Sequence, residues 1–270
     1  MTNPKRKGAR SVKDIPKEIL EQLNSGEIET LSLSEWAAVD RKVLLKNVLT
    51  QHNRTKYLNP ILDKISNLKK QTVNTITETI GTALLEQAIA HNDNDFLQIV
   101  ATHKSDLVRS WATFAVGKNS ELNIEKMLQK IQPFATDRHF GVREEAWLTV
   151  RPKIAQNLEK SIRILSEWAL SEDENIRRFA SESTRPRGVW CEHIKELKQN
   201  PTLALPILEP LKSDKSKYVR DSVGNWLNDA SKTQSEFVIE ICERWQKESD
   251  SKETAYIVKK ALRTINKVQK

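Results

Sequence analysis

Glycine, proline and cysteine are scarce in this sequence. Its 270 residues include seven Gly, nine Pro and two Cys. Because Gly and Pro interrupt helices and favour turns, their scarcity permits long helices and argues against a fold of short strands. The two cysteines, Cys191 and Cys242, are too few for a disulfide framework, and neither they nor the five scattered histidines have the spacing of a metal site. We therefore expect no bound metal ion and no cofactor.

Long apolar runs are also missing. No stretch approaches the roughly 18 apolar residues that a membrane-spanning helix requires. The first ten residues, MTNPKRKGAR, are polar, and no apolar core of a secretory signal follows them. The sequence therefore predicts a cytoplasmic protein without membrane association, and we expect a monomer.

Positive charge is in excess. The chain has 44 Lys and Arg against 36 Asp and Glu, a formal net charge of +8, and its isoelectric point is near 9.3. Such a balance favours a polyanionic partner such as nucleic acid, and solubility alone is the alternative explanation.

The pattern divides the chain into a basic arm and one helical domain. Residues 1–14 are rich in Lys and Arg and predict a flexible arm, either a mobile terminus or a non-specific phosphate contact.

In residues 15–270, apolar side chains recur with helical spacing, which predicts a single HEAT-like repeat domain. Its second half repeats a β-branched residue followed by Arg, at intervals of 34, 34 and 43 residues, centred on Arg109, Arg143, Arg177 and Arg220. This period predicts an all-α fold, an α-α superhelix (solenoid) of helix pairs in which each repeat Arg binds an acidic group near the previous turn.

One face of the repeat helices combines charged and aromatic residues. Positions one, five and eight or nine after each repeat Arg lie on one stripe, opposite the packed aliphatic side chains. A solvated surface is one explanation of this mixture. The other is a binding site, because guanidinium groups beside indoles suit contacts with phosphate, base or sugar. The stripe and its neighbours comprise Glu144, Trp147, Arg151, Arg178, Glu182, Arg185, Arg187, Trp190, Asp221, Asn225, Trp226 and Asp229.

Residues from about Asp137 to Trp245 resemble the HEAT-like DNA alkylation repair glycosylases, in particular their AlkC-type branch. The strings that carry the resemblance are RRFASE from Arg177, TRPRGVW from Thr184, LPILEPL from Leu205, YVRDSV from Tyr218 and NWLND from Asn225. These strings are long and follow one another in order over about 110 residues. The N-terminal half is similar to the family only in being helical.

The resemblance implies excision of cationic N3- or N7-alkylated purines from DNA by hydrolysis of the N-glycosidic bond. It places the catalytic carboxylates at Glu182 and Asp229 and a substrate-facing indole at Trp190. Where AlkC-type proteins have a Glu four residues before an Arg-Pro pair, this chain has Trp147 before Arg151, and Glu144 is the candidate replacement. The residues expected to bind DNA or substrate are Glu144, Trp147, Arg151, Arg178, Arg185, Arg187, Trp190, Asn225 and Trp226.

The expected partner is alkylated duplex DNA, so we expect the protein at the nucleoid when it is bound. Because the damaged purine is already cationic, the enzyme would chiefly stabilise an oxocarbenium-like sugar and orient water, which carboxylates can do. Exchange of Glu182 or Asp229 for the amide is expected to reduce excision and leave folding intact. Two alternatives stay open: a non-catalytic HEAT module that binds nucleic-acid backbone, and a protein-interaction scaffold.

Overall fold

A computed structural model describes residues 6–268, and no strand occurs in that range. The predicted all-α class is confirmed. None of the helices in the described range has the length and hydropathy needed to cross a membrane. The α-helices are α1 (Lys17–Ser25), α2 (Leu33–Ala38), α3 (Arg41–Gln51), α4 (Leu58–Ser66), α5 (Val73–Ala90), α6 (Asn94–Ala101), α7 (Asp106–Gly117), α8 (Ile124–Ala135), α9 (Phe140–Gln156), α10 (Leu158–Trp168), α11 (Glu174–Ser183), α12 (Lys195–Gln199), α13 (Leu205–Leu208), α14 (Lys217–Ala230), α15 (Ser235–Glu248), α16 (Lys252–Ala261) and α17 (Ile265–Val268).

The chain forms two compact units, each with its own core. The first contains the residues up to Glu121 together with Asp137–Ala146, and the second contains Leu122–Thr136 and the residues from Trp147 onward. In the first unit α5 packs against α4 and α7, and in the second α14 packs against α11 and α16. One continuous domain over residues 15–270 stays a prediction. Fully buried side chains of the first core include Leu44, Val48, Ile61, Ile80 and Leu84, and those of the second include Leu165, Ile207, Val219, Val223 and Leu227.

The repeat arginines join consecutive turns. Nη1 of each repeat Arg donates to the backbone carbonyls six and five residues earlier, as Arg177 does to Ser171 (2.9 Å) and Glu172 (2.8 Å). The rest of the Arg177 guanidinium binds the carboxylate of Asp214, at 2.6 and 3.0 Å. Arg109 binds Asp137 in the same way, at 2.7 and 2.8 Å.

These bonds correct the predicted direction of the ion pair. Asp137 and Asp214 each lie six residues before the next repeat Arg, so the carboxylate comes from the following turn and not from the previous one. The previous turn contributes its carbonyl oxygens instead, because those groups precede the first turn of the helix and need donors.

The second helices of the pairs include the continuous helices α8, α10 and α15. Between α12 and α14, the chain instead forms the 3-10 helices Pro201–Ala204 and Glu209–Leu211 on either side of the short α13. Pro206 and Pro210 interrupt this segment, because proline has no backbone N–H to donate within a helix.

The basic N-terminal segment is anchored from Arg6 onward. Residues 1–5 of the predicted flexible arm lie outside the described residues. The Arg6 guanidinium binds the buried carboxylate of Glu35 at 2.6 Å and the carbonyl oxygen of Glu29 at 2.6 Å. The backbone N–H of Ala9 also donates to Glu35 (3.1 Å), and Ser32 donates to the carbonyl of Ala9 (2.7 Å). The prediction of a flexible arm is therefore wrong for residues 6–14, because this buried carboxylate and the neighbouring turn hold them.

Candidate active site

Helix α11 carries the first candidate carboxylate and ends at the basic run that follows it. The Asp173 side chain caps its N-terminus by accepting from the backbone N–H of Asn175, at 2.7 Å. Ile176, Phe179 and Ala180 form its buried face. The helix stops before Pro186, which disfavours helical backbone at the residue preceding it. Arg185 therefore lies two residues beyond the last helical residue, Ser183, and its side chain turns back toward Glu182.

One guanidinium binds both candidate catalytic carboxylates. Nη1 of Arg185 donates to Oε1 of Glu182 at 2.7 Å, while Nε and Nη2 donate to Oδ2 of Asp229 at 2.9 and 2.7 Å. Glu182 lies on α11 and Asp229 on α14, which pack against each other. We call these three residues the Arg185 bridge. All three are buried, with 4% of Glu182, 3% of Asp229 and 7% of Arg185 exposed.

Further polar groups complete the bridge. Oγ of Ser222 donates to Oε2 of Glu182 at 2.7 Å, and Nζ of Lys232 donates to Oδ1 of Asp229 at 3.0 Å. Nη2 of Arg178 lies 3.8 Å from Oε2 of Glu182. Ser222 and Lys232 are not among the site residues predicted from the sequence. Lys232 follows Asp229 by three residues, a helical spacing that could have indicated the contact, whereas nothing in the sequence marks Ser222.

Glu182 and Arg185 stabilise each other in their charged forms. Burial acts to raise the pKa of Glu182, but the positive charges of Arg178 and Arg185 and the Ser222 bond lower it below its ordinary value. Burial acts to lower the pKa of Arg185, and the charges of Glu182 and Asp229 reverse this effect and raise it. Glu182 is therefore a carboxylate at neutral pH.

Trp190 stands out from this buried cluster. Its side chain is 92% exposed and its backbone has a φ of +64°, which is uncommon for a bulky residue. The preceding Val189 is 51% exposed. Two apolar side chains therefore lie at the tip of residues 186–192, a segment that we call the Trp190 loop. The indole is thus accessible, and its contact with substrate stays a prediction.

The comparisons with known proteins agree with the resemblance. Residues 144–265 match the family of DNA alkylation repair enzymes. This part of the chain is therefore similar to that family. A protein of Bacillus subtilis strain 168, the uncharacterized protein YhaZ, is 42% identical over 118 residues, which are 44% of this chain and 32% of that protein. The chain thus spans about a third of the length of this relative.

Two solved structures share the fold of this chain. The chain is similar to the alkylpurine DNA glycosylase AlkC of Pseudomonas fluorescens bound to DNA containing an abasic site analog, with a TM-score of 0.67 and 22% identity over 96% of this chain and 66% of that one. It is also similar to AlkD2 of Streptococcus mutans, with a TM-score of 0.57 and 24% identity over 77% of this chain and 96% of that one. The predicted fold of HEAT-like helix pairs is confirmed.

Trp147 and Trp226 do not contact solvent, so their predicted roles in DNA binding are wrong. Trp147 is 4% exposed and Trp226 is fully buried. Trp226 follows Val219 by seven residues and Val223 by three, and it therefore points to the same side as these core residues. Its Nε1 donates to the backbone carbonyl of Thr184 at 3.0 Å. The indole thus connects α14 to the end of α11.

Arg151 and Arg185 are also unavailable to a phosphate group. Arg151 is 2% exposed, and it donates to the backbone carbonyls of Ser183 (2.8 Å), Arg185 (2.5 Å) and Glu192 (3.2 Å). Arg185 is committed to the bridge. Both had been predicted to bind DNA because Arg was expected on a solvated stripe. The structure shows that these two guanidinium groups satisfy buried acceptors instead.

The remaining predicted residues keep part of their side chain at the surface. Arg178 stacks over the ring of Tyr218, with 4.1 Å between its Cζ and the ring centroid. Oδ1 of Asn225 accepts a bond from Nη2 of Arg263 at 2.9 Å. Arg187 is half-buried, with its Nε enclosed and without a hydrogen-bond partner. Glu144 is partly exposed and belongs to the first unit, in Asp137–Ala146.

Proposed function

We propose that this protein is a DNA glycosylase that excises cationic N3- or N7-alkylated purines by hydrolysis of the N-glycosidic bond. The observation that carries the proposal is the Arg185 bridge, which brings the carboxylates of two neighbouring helices to one guanidinium. Trp190 follows Arg185 by five residues and presents its indole to solvent. The family match over residues 144–265 and the fold shared with AlkC support it.

These groups suit the reaction. An alkylated purine that already carries a positive charge leaves without protonation, so the protein needs no acid residue. As the bond breaks, positive charge develops on the sugar, and a fixed carboxylate stabilises that charge. A second carboxylate can accept a proton from the attacking water. The face of an exposed indole adds about 0.5–2 kcal/mol of attraction toward a cationic base.

The burial of the bridge changes what is expected of amide variants. Neutralising Glu182 or Asp229 leaves part of the buried Arg185 guanidinium without its charged acceptor, which typically costs about 1–3 kcal/mol. We therefore expect both variants to be less stable than the wild type, and activity must be compared at a temperature where each variant is folded. Asp221→Asn is the matched control, since Asp221 is another ion-paired carboxylate of α14, bound to Lys217 and Lys260.

The test is single-turnover release of base from duplex DNA that contains an N3- or N7-methylpurine. We expect Glu182→Gln and Asp229→Asn to reduce the release rate by 10²–10⁴-fold, with Asp221→Asn within a few fold of wild type. Release that is unchanged in both bridge variants would exclude these carboxylates from the mechanism.

A second candidate function is favoured by the positive charge of the chain. The formal net charge is +8, and the side chain of Lys232, beside the buried bridge, is 42% exposed. A non-catalytic module that binds the phosphate backbone requires only such an excess of accessible positive charge. Tight binding of alkylated DNA by the wild type, without release of any base, would favour this function over the glycosylase.

A further inference from the structure

We propose that Arg151 is a positioning residue that holds the Trp190 loop in the conformation needed for excision. The proposal rests on the proposed glycosylase function, because Trp190 is the residue through which Arg151 would act. Arg151 itself is buried and does not reach a substrate.

Arg151 connects the two sides of the Trp190 loop. Nη1 and Nη2 donate to the carbonyls of Ser183 and Arg185, where the chain enters the loop, at 2.8 and 2.5 Å. Nε and Nη2 donate to the carbonyl of Glu192, where the chain leaves it, both at 3.2 Å. The Ser183 carbonyl ends α11 and has no acceptor role within the helix, so this bond also satisfies the helix terminus.

The loop is packed closely against the guanidinium group. A Cβ atom at Gly188 would lie 2.4 Å from Sγ of Cys191 and 3.2 Å from Cζ of Arg151. The backbone N–H of Ile194 donates to the carbonyl of Pro186 at 3.1 Å and closes the loop at its base. A Cβ atom at position 188 would therefore require the Cys191 side chain to move.

The conformation of Trp190 needs such support. A left-handed backbone costs a residue with a Cβ atom roughly 1–2 kcal/mol, and the 92% exposed indole gains no burial energy in return. Strained backbone persists where the surrounding structure imposes it. At Trp190, the backbone conformation is imposed by the hydrogen bonds of the Arg151 guanidinium and by the close packing of Gly188 against Arg151 and Cys191.

Lysine cannot replace Arg151 in this role. The planar guanidinium has five N–H donors in a fixed fork, whereas an ammonium group has three donors at one point. Arg151→Lys keeps the positive charge, but its ammonium group cannot bind the backbone carbonyls at both ends of the Trp190 loop at once. A displacement of a catalytic group by about 1 Å can cost on the order of 10²-fold in rate.

A double-mutant cycle tests the proposal. In single-turnover base release, Arg151→Lys is expected to slow the reaction tenfold or more. In the Trp190→Ala background the same exchange is expected to change the rate by less than about twofold, since contacting sites show coupling whereas independent ones add. Equal effects of Arg151→Lys in both backgrounds would overturn the proposal, because a general structural role does not depend on Trp190.

A second variant, Gly188→Ala, keeps the proposal testable if Arg151→Lys does not fold. Gly188→Ala removes no donor of Arg151 but introduces the Cβ atom that collides with Cys191. It is expected to slow base release as Arg151→Lys does, again only when Trp190 is present. Wild-type rates in a folded Gly188→Ala variant would contradict a requirement for the loop conformation.

Acrylamide quenching of tryptophan emission gives a readout without DNA. The difference between each protein and its Trp190→Ala counterpart isolates the emission of Trp190. Arg151→Lys is expected to change the quenching constant of this component. If the wild type releases no base, the glycosylase proposal fails. The quenching measurement still decides whether Arg151 positions Trp190. An unchanged quenching constant in Arg151→Lys would refute this positioning role.

Discussion

The tryptophan residues differ in burial and therefore in their expected roles. Trp190 is almost fully exposed, whereas Trp245 is fully buried and its Nε1 donates to Glu209 at 3.1 Å. Trp168 is half-buried and lies against Phe179 with 5.2 Å between ring centroids. An exposed side chain contributes little to folding, so the indole of Trp190 is accessible to the substrate of the proposed function.

Replacement of Trp190 separates stability from activity. Trp190→Ala is expected to leave the melting temperature nearly unchanged and to reduce base release, because the indole has no packing to lose. Trp245→Ala is expected to cost about 3–5 kcal/mol, since it leaves a large cavity. Thermal denaturation and single-turnover release on both variants check this, and a large fall in melting temperature for Trp190→Ala would assign that indole to the core.

Glu145 on α9 is a carboxyl group that burial keeps partly protonated near neutral pH. Burial raises its pKa from 4.5 to about 7; the charge of Arg41 lowers the pKa, and the charges of Glu144 and Glu78 raise it. In the unfolded chain the group titrates near 4.5. The folded protein therefore binds a proton more tightly there, and its stability decreases as the pH rises from about 4.5 to 7.

Glu145→Gln removes this penalty. At pH 8 the wild type must hold an ionised carboxylate at this position, so the variant is expected to be more stable by about 1–3 kcal/mol. At pH 4.5 the folded wild type is protonated there, and the difference should nearly vanish. Urea unfolding of both proteins at the two pH values measures it; a difference that does not depend on pH would mean that the Glu145 pKa is not raised.

At the scale of the helices, the repeat arginines show what the sequence could and could not predict. The periodic aliphatic-Arg pairs correctly predicted the repeat helices, because the spacing of packed residues depends only on helical geometry. The direction of the Arg177 bond was wrong, because Asp214 is 37 residues away and its approach depends on how the next pair packs. Local periodicity does not encode such distant contacts.

The candidate site was predicted in part for the same reason. Glu182, Asp229 and Trp190 were found through the family strings, and the structure brings the two carboxylates together at Arg185. Their burial was not predicted, because the stripe was assumed to face solvent. The contacts of Arg151 with backbone carbonyls could not be predicted either, since the Trp190 loop that supplies them has no periodicity.

The repeat arginines also allow a matched test of the ion pair. Arg177 and Arg220 both bind two carbonyls of the preceding turn, but within residues 6–268 only Arg177 of the two binds a carboxylate. Arg177→Lys is therefore expected to destabilise the protein by at least about 1 kcal/mol more than Arg220→Lys, because it breaks a bidentate pair with buried Asp214. Chemical denaturation measures both, and equal losses would show that the carbonyl contacts dominate.

At the scale of the whole molecule, net charge and local contacts make separable contributions to the proposed DNA binding. The charge of +8 attracts any polyanion and does so at a distance. Specific contacts require accessible cations, and Arg151 and Arg185 are not accessible because both are buried. Arg185→Ala consequently reports on the stability of the bridge. Arg187, half-buried within the Trp190 loop, is the better candidate for a phosphate contact.

Salt dependence distinguishes these two contributions. We expect the logarithm of the affinity for duplex DNA to fall linearly with the logarithm of salt concentration, by about 0.9 for each phosphate that the protein neutralises. Arg187→Ala should weaken binding to all sequences alike and make this slope shallower by about one contact.

Arg163→Ala is the control, since Arg163 is an exposed Arg of α10 and its loss changes the net charge equally. Titrations at several salt concentrations decide the matter. If both variants lose the same affinity, total charge governs binding and Arg187 makes no particular contact; if binding does not depend on salt at all, the protein does not bind the phosphate backbone.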